Sequence, residues 1–283
     1  MSLVAAVRDK IPKRAKRAVR LVVSEAPVRV RDALPDLLQI LGVLRRSDPL
    51  PPRALRGRTG RTSSRKEFVF VGRTVARDLR TAFESVRDPA GEYGRWLDFG
   101  CGSGRVARFV CDFPVVRTLC GVDVDDEAIR WNRSHLRKGA FFPLTDGSAI
   151  PFAVASFDVV FAVSVFSHFD ESSQQKWLRE VHRVLRPGGL FLASTHSERL
   201  RYSRPDLTIE QHRELNARGF LFAPGGGTFQ SDSSFHTRRY LEEEWGKLFR
   251  IRLHCEHGLA RFQDLSVWEK SRPHSPAGPA PAT

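Results

Sequence analysis

From Glu67 the apolar positions Phe68, Val71, Val75, Leu79, Ala82 and Phe83 recur every three or four residues. That spacing predicts an amphipathic helix, one face of which packs against whatever sheet follows. From residue 95 the pattern changes to short apolar runs separated by longer periodic stretches. Strands are predicted at 95–99, 117–122, 140–144, 157–163 and 189–195, and helices at 104–112, 126–136 and 171–185. Strands alternating with helices imply right-handed crossovers and a parallel sheet covered on both faces. A further helix is predicted at 207–218 and another near Thr237. The segments 249–255 and 262–269 read as an antiparallel closing pair. Leu185-Arg186-Pro187-Gly188-Gly189 marks a helix stop and a turn.

The expected fold class is therefore α/β: a Rossmann-like seven-stranded sheet, mostly parallel with an antiparallel closing hairpin, helices on both faces, and an N-terminal helical extension. In that extension Leu37, Leu38, Leu41 and Leu44 form one stripe over residues 36–46, stopped by Pro49, Pro51 and Pro52. No internal repeat is visible.

A chain of 283 residues with 41% hydrophobic content can bury a sizeable core. No apolar run approaches ~18 residues, so a membrane-spanning helix is not expected. The net charge of +14 is concentrated at one end. Residues 1–66 carry 17 Lys/Arg against 5 Asp/Glu, while the remainder carries 29 against 27. Three regions follow: a basic N-terminal arm (1–66), a catalytic body (67–270) and a Pro/Ala-rich tail (271–283) expected to be disordered. The near-neutral body weakens a nucleic-acid reading based on whole-chain charge. The arm reads either as a mobile, loosely helical segment or as a helix contacting an anionic membrane or acidic partner. Its apolar patches are too short for a secretion signal. A cytoplasmic protein is expected, peripheral at the membrane if the arm binds there. The four cysteines show no C-x-x-C pairing, and no metal site is expected. Preference for Arg over Lys suggests a high-GC bacterial gene.

Candidate chemistry starts at Trp96-Leu-Asp-Phe-Gly-Cys-Gly-Ser-Gly104. Glycines at 100, 102 and 104 let a chain leave a strand, turn sharply and approach a ligand that a Cβ would exclude. The spacing G-x-G-x-G differs from the dinucleotide fingerprint G-x-G-x-x-G. About twenty residues on, the second strand ends in Gly121-Val122-Asp123, where an acidic side chain can accept from ribose hydroxyls. Asp125 suits a helix N-cap. Leu144-Thr145-Asp146-Gly147 follows the third strand, and Ser156-Phe157-Asp158-Val159-Val160 opens the fourth.

In order and spacing, residues 95–195 resemble the cofactor-binding core of class I S-adenosylmethionine (SAM) methyltransferases. The resemblance implies SAM as cofactor. It implies that Asp98 and the backbone of Gly100, Cys101, Gly102 and Gly104 hold the methionine end. Asp123 then takes the ribose, Val124 lies along the adenine, and Asp146 beside Gly147 accepts from the adenine amino group. Ser164, at the end of the fourth strand, faces the methyl group. Cys101 reads as a small buried filler in the loop rather than a nucleophile.

The acceptor side is Ala162-Val-Ser-Val-Phe-Ser-His-Phe169. It has neither the polar-Pro-Pro-aromatic motif of nucleic-acid amino methyltransferases nor the Pro-Cys of cytosine C5 enzymes. His168 reads either as a general base or as a structural residue holding the loop. His196 follows the fifth strand, and His236 follows the Gly225–Gly227 loop as a second candidate in catalysis. That loop is either a lid hinge or a plain connection. The leading function is methyl transfer from SAM to a small-molecule or glycan-type acceptor, at oxygen. Alternatives are an RNA methyltransferase gripping phosphates with its arm, and a non-catalytic SAM-binding interaction protein.

Overall fold

The computed structural model describes residues 48–58, 64–144, 149–225 and 232–272. The helix expected at 36–46, Asp146, Gly147, most of the arm and nearly all of the tail lie outside the described residues.

Helix α1 (Arg53–Gly57) precedes the long α2 (Arg65–Val86). There follow β1 (Arg95–Phe99), α3 (Ala107–Val110), β2 (Thr118–Asp123), α4 (Asp126–His135), β3 (Ala140–Pro143), β4 (Phe157–Ala162), α5 (Glu171–Val184) and β5 (Leu185–Ser197). The remainder comprises α6 (Ile209–Arg218), β6 (Phe220–Ala223), β7 (Ser233–His236), α7 (Arg238–Glu244), β8 (Arg250–Leu259) and β9 (Gln263–Glu269). Strands β1, β2, β3, β4 and β5 pair in parallel in the order β3-β2-β1-β4-β5. Strand β9 then adds antiparallel to β5 and β8 to β9. This is the expected seven-stranded sheet with its closing pair.

Every residue of β4 is buried, as a central strand covered on both faces requires. On one face α2 buries Phe68, Val75, Ala76, Leu79, Ala82 and Phe83, with the Phe83 ring 5.0 Å from Trp96 of β1. On the other face α5 buries Trp177, Leu178, Val181 and Val184, with Trp177 5.2 Å from Phe99. At the amino edge, Asp158 accepts from Arg95 N (2.8 Å), Arg95 Nη2 (3.0 Å) and Arg186 Nε (2.8 Å), clamping β1, β4 and β5.

Four features depart from the expectation. The helix predicted at 104–112 shrinks to α3, because Gly102 and Gly104 both hold positive φ and the chain turns until Val106. Strand β5 is longer than 189–195; Gly188 (φ +73°) turns within it, and the register with β4 shifts between Phe157 and Val159. The hairpin β6–β7 is additional and joins the end of β5 through His196 opposite Phe235 and Ser197 opposite His236. Finally, residues 48–58 lie within the expected arm by charge, yet they dock on the body. Leu55 is buried, and Arg58 is bonded to Asp125 and Glu127 of the α4 N-terminus.

Candidate active site

The carboxyl ends of β1 and β2 meet through the glycine loop. Gly100 N and Cys101 N both donate to Val122 O, at 2.9 and 3.0 Å. Gly100 has φ +81°, and a Cβ there would lie 2.3 Å from Val165 Cγ2, so both conformation and space demand glycine. At Gly104 (φ +73°) a Cβ would meet Leu136 Cδ1 at 2.5 Å. Asn132, fully buried on α4, donates to Gly102 O at 2.7 Å and so fixes the loop from behind. A polar residue on the buried face of a predicted helix was the sequence signal for it.

Asp98 is 2% exposed, and its Oδ2 has no hydrogen-bond partner among the described residues. Burial pushes its carboxyl well above the usual range, the Asp123 charge adds to this, and Arg105 opposes it. A buried carboxylate oxygen without a donor is costly unless a cationic ligand group supplies one. Cys101 is buried too. Desolvation, with the charges of Asp98 and Asp123, pushes its thiol well up and leaves it a protonated filler.

Asp123 accepts from Gly102 N through Oδ2 (2.6 Å) and from Asp125 N through Oδ1 (2.8 Å). Each oxygen keeps further acceptor capacity. Burial raises its carboxyl above the usual range, against the pull of those backbone bonds. The next residue, Val124, is 63% exposed, an apolar surface presented beside the loop. Asp125 caps α4 by accepting from Glu127 N and Ala128 N. Leu144 N donates to Asp123 O, which holds the end of β3 at the same edge.

At the end of β4, Ser164 sits at φ +56°, an uncommon position for a non-glycine residue. Its backbone N donates to Ser194 Oγ at 2.8 Å. The hydroxyls of Ser164 and Ser194 both donate to Gln263 Oε1, each at 2.9 Å. Gln263, buried at the start of β9, thus joins β4, β5 and β9 at the carboxyl edge. Only a polar residue opening an apolar strand could have pointed to it.

His168 belongs to a 3₁₀ turn, Phe166–His168. Its Nδ1 lies 2.7 Å from Asp232 O. A carbonyl only accepts, so Nδ1 carries the hydrogen and Nε2 is the basic nitrogen of the neutral ring. Burial lowers its pKa from the ordinary histidine value, so the ring is neutral at pH 7. His196 stands edge-on at 6.1 Å between ring centres, and burial, with charge from His168 and Arg204, pushes its pKa down to about 4. His236 stands near His196 on the adjoining strand, but it is 2% exposed, within 3.1 Å of Gln174 side-chain atoms, and packed beside Phe220 and Tyr240. Burial pushes its pKa down to about 3, and the position is one of interior packing. Of the loop at 225–227, Gly225 N donates to Asp232 Oδ1 (2.8 Å), and Gly226 and Gly227 lie outside the described residues. His254 Nε2 is 3.8 Å from Asp264 Oδ2, and Cys255 is exposed. Among the described residues no group of three or more His, Cys, Asp or Glu side chains is placed to hold a metal ion.

Residues 97–193 match the methyltransferase-domain family. They run from β1 through the glycine loop to the middle of β5, the part of the sheet that carries the site. Over this stretch the chain is similar to SAM-dependent methyltransferases. A probable S-adenosylmethionine-dependent methyltransferase of Mycolicibacterium smegmatis is 37% identical over 131 residues, 43% of this chain and 46% of that protein. A fatty-acid O-methyltransferase of the same organism is 34% identical over 116 residues, 40% of each chain. The chain thus spans less than half the length of these curated relatives. A SAM-dependent methyltransferase structure from Methanosarcina mazei superimposes with a TM-score of 0.50 at 18% identity, over 65% of this chain and 95% of that one. That likeness shows the fold. SAM is the cofactor of such a domain, and an orphaned buried carboxylate, a loop open to backbone approach and an exposed apolar side chain fit it.

Proposed function

We propose that this protein transfers the methyl group of SAM to an oxygen of a small-molecule or glycan-type acceptor. The observation that carries the reading is the convergence of the Asp98 carboxylate, the positive-φ glycines and Asp123 on one sheet edge. In this reading Asp98 accepts from the amino group of the methionine end, with the backbone of Gly100, Cys101, Gly102 and Gly104 around it. Asp123 accepts from the ribose hydroxyls, and Val124 lies along the adenine. Asp146 and Gly147 take the adenine edge, and Ser164 lies by the methyl group.

The bound sulfonium supplies an already activated methyl carbon, so the protein's contribution is position, orientation and exclusion of water. A hydroxyl acceptor needs a base, and His168 Nε2 serves as one. It would take the hydroxyl proton, and SAM bound at this edge would supply the activated methyl carbon to the acceptor oxygen. The name of the fatty-acid O-methyltransferase relative supports oxygen as the acceptor atom. His236 is left out of this chemistry by its burial against Gln174.

The test is release of S-adenosylhomocysteine by the full chain across hydroxylated small molecules, sugars, fatty acids and RNA. Turnover on a hydroxylated acceptor, cut about 10²-fold in His168→Ala with SAM affinity kept, is the expected result. Turnover confined to RNA, or SAM binding without turnover on any acceptor, would contradict it.

A further inference from the structure

Helix α2 presents to solvent a basic stripe outside the site described above. Lys66, Phe70, Arg73, Arg77 and Arg80 are all exposed, and their spacing of four, three, four and three places them on one helix face. Phe70 is 70% exposed, with the cations around it. The Arg73 guanidinium lies over Phe109 at 5.7 Å and that of Arg80 over Phe113 at 5.8 Å, which holds both cations at this surface. Arg77 pairs with Asp78 at 2.9 Å, Glu67 stands next to Lys66, and Glu84 ends the stripe.

Beside it, Arg73, Arg108, Arg137 and Lys138 line a cavity of about 450 Å³ together with Asp48 and Asp112. Arg137 pairs with Asp48 (3.0 Å) and Lys138 with Asp112 (2.6 Å), leaving this rim net positive. Asp48 is also where residues 1–47, with 11 Lys/Arg against 4 Asp/Glu, join the body. The basic arm is therefore rooted at the basic stripe. Like charge makes the arm a poor cover for it.

We propose that the outer face of α2 docks the protein on an anionic lipid bilayer, with Phe70 in the headgroup layer and Lys66, Arg73, Arg77 and Arg80 facing lipid phosphates. Charge complementarity selects an anionic partner. A helix of 22 residues, tangential to a plane with one apolar residue among cations, matches a membrane surface. Single-stranded nucleic acid is instead gripped by a charged groove with successive aromatic platforms, and this face carries one exposed aromatic, Phe70.

Co-sedimentation of the full chain with vesicles tests this, using pure phosphatidylcholine against a mixture with about 30 mol% phosphatidylglycerol. Binding to the anionic vesicles only, weakened by salt, is the expected result. Arg73→Glu combined with Arg77→Glu is expected to cut partitioning about tenfold or more. Phe70→Ser is expected to lower it several-fold, at high salt as well as low. SAM calorimetry on each variant checks that the body is folded. Partitioning of the stripe variants equal to that of the unaltered protein would overturn the proposal, because the arm would then act alone. So would failure to bind anionic vesicles, or binding of a single-stranded RNA 30-mer (length ~30 nucleotides) without vesicle binding.

Discussion

Gly100 and Asp123 stand at the ends of the first two strands. The glycine is fixed by a positive φ and by Val165, which stands where its Cβ would go. Gly100→Ala is therefore expected to destabilise the protein by about 2–4 kcal/mol, measured by denaturant unfolding. His168 was ambiguous in the sequence, because a lone histidine after a strand can be a base or a tether. The contact of Nδ1 with Asp232 O accounts for the tether, and the proposed reading assigns the base to Nε2. Its lowered pKa gives a pH expectation with a definite sign. In the proposed mechanism the neutral ring is the active form, so kcat should be flat at pH 7 and fall on the acid side, with a midpoint below the ordinary histidine value of about 6.5. A midpoint above that value would exclude His168 as the titrating base. His236 looked equivalent by position in the chain, and only packing against Gln174 distinguishes the two.

At the scale of elements, the long periodic segments were legible and the short ones were not. Helices α2, α4 and α5 and the five parallel strands carry enough apolar residues for the period to show. The hairpin β6–β7 has four-residue strands, and its second strand, Ser233-Ser234-Phe235-His236, is buried although mostly polar. Tertiary pairing with β5, absent from any local pattern, creates it. Gln263 was hidden for the same reason: its partners Ser164 and Ser194 are 99 and 69 residues away. Gln263→Leu removes the acceptor of one buried and one half-buried hydroxyl, and a loss of about 1–3 kcal/mol is expected in thermal or denaturant unfolding. SAM binding should weaken with it, because Ser164 loses a bond that holds its left-handed conformation. The clamp at Asp158 acts at the opposite edge. Burial opposes its charge, yet hydrogen bonds from Arg95 and Arg186 hold its carboxyl below the usual range. A depressed folded-state pKa contributes stability above the unfolded value near 3.9 and loses it as pH falls through the folded one. Asp158→Asn should cost about 2 kcal/mol at pH 7 and progressively less in acid below about pH 4.

For the whole molecule, charge and chemistry are separated. The near-neutral body holds the sheet and the site, while the basic arm joins at Asp48, beside the α2 stripe. The composition showed this imbalance but not where the arm meets the body, since Arg137–Asp48 and Arg58–Asp125 are long-range pairs. The seven-stranded order follows from strands and helices in alternation, and the cofactor follows from which residues end β1 and β2. The acceptor does not follow, because its side is built from short irregular segments.

In the proposed reading SAM binds at the β1–β2 edge through Asp98 and Asp123. Isothermal titration of SAM into the full chain, with Asp123→Ala alongside, tests it most directly. The account predicts one-to-one binding to the unaltered protein and an affinity at least tenfold weaker in Asp123→Ala, with unfolding little changed (roughly 1.4 kcal/mol of binding per tenfold). Equal affinity in the two proteins, or no heat with the unaltered one, would contradict it.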